Sequence, residues 1–170
     1  MAEQDGRGRS VFVYRVGAGA GTQDVISVME HEWVSKHGLP TEAILGVIRR
    51  PQGFGDDVSP DKFEENPGFV GFLHELIAAH VLELRQVVRG AAGQDGAFIY
   101  LVDGRTTKQG GEVALQDVIG MVAVDAGRLV PGSYQPNPAH RLYTADGFFV
   151  LPPELESVLR REILARGGQR

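Results

Sequence analysis

The chain predicts an α+β fold: a mixed sheet of about six to seven strands with helices packed on it and a C-terminal helix. Three observations carry this. β-branched and aromatic runs alternate with stretches of helical periodicity through the first hundred or so residues, giving a β-α-β-α-β start. Short strands then follow one another around Asp125 to Arg128 and Thr144 to Gly147, the marks of two antiparallel hairpins, each with Gly where a type I turn is closed by a left-handed residue. Pro152 and Pro153 open a last amphipathic stretch.

Residues 1–10 are polar and expected as a disordered tail, 11–166 as a single domain, and 167–170 as a second tail. VFVYRV (11–16) reads as the first strand. A helix is expected from Thr22 to His37, with Val25, Val28, Met29 and Trp33 as its stripe and Gly38 and Pro40 at its end. AILGVIR (43–49) is the second strand. A loop rich in Gly, Pro and Asp should run from Pro51 to Asn66, with Phe54 and Phe63 either pinning it or serving a partner. Asn66 and Pro67 suit an N-cap and first helical position. They open one long helix to about Arg89, with Phe69, Leu73, Leu76, Ile77, Leu84, Val87 and Val88 on its apolar face. AFIYLVD (97–103) is the third strand. The first half has room for parallel pairs; the second half should be antiparallel.

Composition narrows function by exclusion. A hydrophobic fraction of 42% over 170 residues is ordinary for a folded domain. The absence of cysteine removes disulfides, thiolate metal sites and cysteine nucleophiles. A net charge of −5 without a basic stripe predicts no nucleic-acid partner. No apolar run approaches the roughly 20 residues that span a bilayer, and the N-terminus has no leader-like core. The expectation is a cytoplasmic protein without membrane contact.

HELIAAH (74–80) begins like a zinc-protease motif, which needs histidines one helical turn apart. His74 and His80 lie six residues apart, about 120° around a helix, and Ala78 stands where the second ligand belongs. No metal and no cofactor is therefore expected. His80 falls on the apolar stripe with Glu83 three residues on. It is either a satisfied core histidine or a base oriented by that carboxylate. His74 should face solvent.

Gly17, Gly19 and Gly21, between an expected strand and an expected helix, have the composition of an anion cradle, with Arg49 and Arg50 on the next strand. The dinucleotide fingerprint fails because Thr22 replaces its third glycine, and no Walker sequence is present. Asp103 and Arg105 end the third strand, where a carboxylate and a guanidinium can orient a substrate or close a turn. Tyr134, Asn137, His140 and Arg141 occupy a proline-stiffened linker suited to binding. The acidic spacing of the 51–66 loop does not match a calcium loop, and no serine stands in a nucleophile elbow.

The leading expectation is a small binding or protein-interaction module without catalysis. Its partner would be a protein or a small anionic ligand, and a homodimer could form through a sheet edge or the last helix. The alternative is a small hydrolase or lyase with His80, Glu83, Asp103, Arg105 and His140 in one pocket, with or without a metal. A second alternative is anion or nucleotide binding at Gly17–Gly21.

Overall fold

The computed structural model describes residues 2–3, 9–19, 21–50, 59–94, 96–105 and 112–168. In chain order its elements are β1 (Ala2–Glu3), β2 (Val11–Ala18), β3 (Gly21–Ser27), α1 (His31–His37), β4 (Ile44–Arg50), β5 (Phe63–Glu65), α2 (Pro67–His80), α3 (Arg85–Ala92), β6 (Phe98–Val102), β7 (Val118–Asp125), β8 (Arg128–Leu129), β9 (Gln135–Pro136), β10 (Tyr143–Thr144), β11 (Gly147–Phe148) and α4 (Pro153–Gly167). The α+β class stands. The single mixed sheet does not: the strands form an all-antiparallel five-stranded sheet, a four-stranded one and a two-stranded hairpin. The chain divides into two compact units. One comprises residues 1–72, 142–148 and 160–170; the other comprises 73–141 and 149–159.

The first unit holds the sheet β1-β2-β3-β4-β5 and the β10–β11 hairpin. Its largest departure from expectation is β3. Residues 22–27 are not the start of a helix but the return arm of a hairpin, with Ala18 opposite Gly21 and Gly19 at a φ of 61° in the turn. The segment is rich in β-branched side chains, and cross-strand pairing outweighs the helical spacing of Val25, Val28 and Met29. It also answers for Arg15, the odd charge in the first strand. Arg15 lies opposite Asp24 in register, and its Nε donates to that buried carboxylate at 2.8 Å. The helix proper is only His31–His37, and β1 pairs with Val11 and Phe12 within the segment expected as a tail.

Part of the expected 51–66 loop is ordered as β5, whose Phe63 to Glu65 pair with Ile48 to Gly46. Residues 51–58, including Phe54, Asp56 and Asp57, lie outside the described residues. Phe63 pins β5 by edge-on contact with Tyr143 and Phe148, which stack on each other at 4.1 Å. Asn66 acts as expected. Its Oδ1 accepts from the Gly68 N–H, and its Nδ2 donates to the carbonyls of Thr41 and Ile44. The C-terminal half of α4 docks by Arg160 on Glu30 and Arg166 on Glu42, with Gly167 against the Trp33 ring. The helix thus includes the first residue of the expected C-terminal tail.

The second unit holds β6-β7-β8, with β9 also paired to β7. The long helix expected to Arg89 breaks after His80, where a single 3-10 turn at Val81–Glu83 separates α2 from α3. The break resets the phase. Val81, Leu84, Val87 and Ala91 are buried, while Val88, expected on the apolar face, is exposed. α3 crosses the sheet closely at Gly90, where a side chain would strike Ile99. Both expected hairpins are present. In the first, Ala126 and Gly127 take φ values of 49° and 75°, a primed turn rather than the expected type I turn closed by one left-handed residue; Gly147 at 101° closes the second.

Gly46 in β4 tests the close packing of the first sheet, since a Cβ there would meet the Glu64 carbonyl and the Phe63 ring. Gly46→Ala should lower stability by about 1–3 kcal/mol, read from the urea unfolding midpoint, because backbone cannot yield as a flexible side chain can.

Candidate functional site

An ionised carboxylate taken out of water must find donors. Asp103, at the end of β6, finds four. Its Oδ1 accepts the backbone N–H groups of Arg105 at 3.1 Å and Val150 at 2.8 Å. Its Oδ2 accepts from His140 Nε2 at 2.9 Å and lies 3.4 Å from Arg105 Nη2. The turn that makes this possible is Asp103-Gly104-Arg105: Gly104 donates to the Val150 carbonyl at 2.8 Å, and a Cβ there would press on the Val150 side chain.

Arg105 is equally engaged. Its Nε donates to Asp117 Oδ1 at 3.2 Å, and its Nη2 donates to the carbonyls of Gln116 and Arg141. The four charged or titratable residues are all interior: Asp103 and Arg105 are 1% exposed, Asp117 3% and His140 6%. No buried side-chain nitrogen or oxygen among the described residues lacks a partner. The network therefore ties the end of β6 to the start of β7, to the linker at 140–141 and to Val150. An arginine suits this role because its planar fork serves several acceptors at once.

Next to it sits a second polar pair. His74 Nδ1 lies 2.8 Å from the Tyr134 hydroxyl, with the rings 6.1 Å apart. Burial, and then the nearby His140, pushes the His74 pKa down to about 4. Tyr134 is pushed well above the usual phenol range by burial. The neutral imidazole and the un-ionised phenol thus share one hydrogen bond at neutral pH. Tyr134 lies across β7 at Gly120, where any side chain would collide with its ring.

The candidates read from sequence sort as follows. Asp103, Arg105 and His140 come together. His80 and Glu83 do not join them: His80 stands half-buried at the end of α2, 3.5 Å from Glu83, so it is neither the base of this cluster nor a sealed core histidine. Asn137 braces the linker, donating to the carbonyls of Leu115 and Val118 at 2.8 Å each. Arg141 contributes its backbone to Arg105 and turns its guanidinium onto the carbonyls of Pro138 and His140. Gly17, Gly19 and Gly21 belong to the β2–β3 hairpin, so the segment leads into a strand rather than into the expected helix. No three His, Asp or Glu side chains among the described residues are placed to share a metal ion. Residues 106, 107 and onward to 111 lie outside the described residues.

Two members were missed. Asp117 carried no motif; its one signal was a charge directly before the apolar run of β7. His74 was expected in solvent, because its wheel position lies at the stripe's edge. Tyr134, sixty positions away in sequence, covers it, and no local pattern announces that.

Asp103→Asn keeps the shape but withdraws the charge facing Arg105 and His140. It should cost about 3–5 kcal/mol of unfolding free energy by chemical denaturation, the usual penalty for stranding a buried charge. For His74 the folded pKa is depressed, so the unfolded chain binds the extra proton. Stability from this group is full above the unfolded value near 6.5 and is lost as pH falls toward about 4. In ring-nitrogen NMR His74 should remain neutral at pH 5, and His74→Gln should flatten the acid side of the stability profile. No family model, no curated protein and no solved structure matches this chain.

Proposed function

We propose that this chain is a non-catalytic protein-interaction module that self-associates through the edge of β6. The carrying observation is β6 itself. Among the described residues it is hydrogen-bonded on one side only, to β7, and it presents Phe98 at 43% and Tyr100 at 59% exposure. Opposite them on β7, Ala123 and Met121 extend the same partly open face. Natural edge strands are usually blunted by Lys, Pro or inward charges. FIYLV has none. An antiparallel pairing of two copies centred on Tyr100 sets Phe98 against Val102 of the other copy. It keeps the aromatic residues on one face, as a two-fold interface requires.

The polar cluster supports the same reading from the other side. Its arginine and carboxylates are spent on one another and on backbone, which is what a scaffold does with them. A second reading, a small hydrolase or lyase, draws on the 2.9 Å Asp103–His140 bond, in which the carboxylate would orient the imidazole as base. The near-complete burial of Arg105 weighs against its use as a clamp for substrate.

Sedimentation velocity across a concentration series should show a reversible dimer. Tyr100→Lys, placing a charge on the edge, should weaken it by at least about tenfold while leaving the far-ultraviolet spectrum unchanged. A wild-type chain that stays monomeric at the highest concentration would sink the proposal.

A further inference from the structure

A shallow groove of ≈ 280 Å³ opens in the second unit between α3 and the β7–β8 hairpin, lined by Leu82, Val88, Ala91, Ala92, Gly127, Arg128 and Leu129. All but one of the lining residues are apolar or glycine, and Leu82 and Val88 are exposed rather than tucked under a neighbour. The hairpin turn packs on the helix end. The Cβ position of Gly127 stands 3.6 Å from the carbonyls of Ala91, Ala92 and Gln94, and its φ of 75° favours glycine there.

Among the described residues that line the groove, the charge is positive. Arg85, Val88, Arg89 and Ala92 fall at helical i, i+3, i+4 and i+7 spacing, so the two arginines share a face of α3 with two residues of the groove wall. Arg128 lines the hairpin side. None of these three arginines makes an ion pair among the described residues, whereas Arg15, Arg49, Arg105, Arg160 and Arg166 all do. The acidic neighbours in sequence are Glu83, engaged by His80, Asp125 at the hairpin turn, and Asp95, which is outside the described residues; neither Glu83 nor Asp125 lines the groove.

We infer that this groove is a docking site for an acidic segment of another protein that inserts a Leu or Phe side chain among Leu82, Val88 and Leu129 and sets carboxylates against Arg85, Arg89 and Arg128. The complementarity is specific. An apolar trough alone would accept any greasy partner, but cations beside it that make no ion pair among the described residues favour one flanked by Asp or Glu and disfavour a basic one. The site is separate from the β6 edge and stands whether or not that edge pairs.

The test uses the full chain, nitrogen-15 labelled. The probe is a fluorescein-labelled peptide of about twelve residues, three helical turns, alternating Glu with Leu and Phe. Two controls replace every Glu by Lys or every Leu and Phe by Ser. The acidic apolar peptide should shift the amide signals of Val88, Arg89, Ala92, Arg128 and Leu129, and its affinity should fall as salt rises. The double variant Arg85→Glu/Arg89→Glu should weaken it by about tenfold, since both changes are on the exposed face. Dimerisation of the same variant, followed by sedimentation, should be unaffected, which separates this site from the β6 edge. The inference is overturned by absence of shifts at millimolar peptide, by equal binding of the Lys control, or by shifts confined elsewhere. It is also overturned if vesicles containing anionic lipid bind with the same arginine dependence while the peptide does not.

Discussion

The carboxylate of Asp103 is the interaction on which the second unit depends. A buried ionised group costs several kcal/mol in lost hydration, and only a full set of donors offsets it. Here the donors arrive from distant parts of the chain: two backbone amides at 105 and 150, the imidazole at 140 and the guanidinium at 105. None of these segments can slide relative to the others without leaving a charge unsolvated. The network's contribution is therefore less to raw stability than to uniqueness, since apolar residues of similar volume would tolerate a slipped register that a carboxylate does not. The linker from Tyr134 to Arg141, with its two prolines and bracing Asn137, makes sense as the strut that delivers His140 and the Arg141 carbonyl to this point.

The first unit solves the same problem by a different route. Its inner polar residues Asp24, Ser27 and Tyr14 are paired across adjacent strands or within a few residues of a strand end. Arg15 meets Asp24 in register, Tyr14 donates to the Met29 carbonyl, and Ser27 bridges Met29 and Ala43. Hairpin topology keeps the partners close, so the loop-closure entropy of forming each contact is small. Between positions 103 and 150 that entropy is larger, and a four-donor carboxylate is a proportionate anchor.

These two routes account for what was legible in the sequence. Elements announced by local chemistry were readable: the β-branched run at 11–16, the Asn66-Pro67 helix start, and the hairpin joints at 125–128 and 144–147. Helical periodicity misled where it rested on few residues. Val25, Val28 and Met29 match a helical stripe, yet the glycine-rich turn before them folds the chain back and cross-strand pairing decides. The same limit hid the break after His80, which left that residue half-buried at a helix end and Val88 exposed. In the site, Asp103, Arg105 and His140 were identifiable as chemistry-bearing residues beside turns and prolines. Asp117 and His74 were not, because what makes each special is a partner remote in the chain.

The distribution of chemistry in the second unit inverts the usual pattern of an open active site. Asp103, Asp117, Arg105 and His140 lie inside, while Phe98, Tyr100, Leu82, Val88 and arginines without an ion pair among the described residues lie outside. Arg105, the cation of the cluster, is 1% exposed and is engaged by Asp103, Asp117 and backbone carbonyls. An interface, by contrast, draws on aromatic residues, exposed strand edges and arginines. Those are what Phe98 and Tyr100 on β6, and Arg85, Arg89 and Arg128 around the α3 groove, supply. In the proposed reading, the buried charge fixes the frame, and the apolar surface is what that frame holds out for another chain to meet.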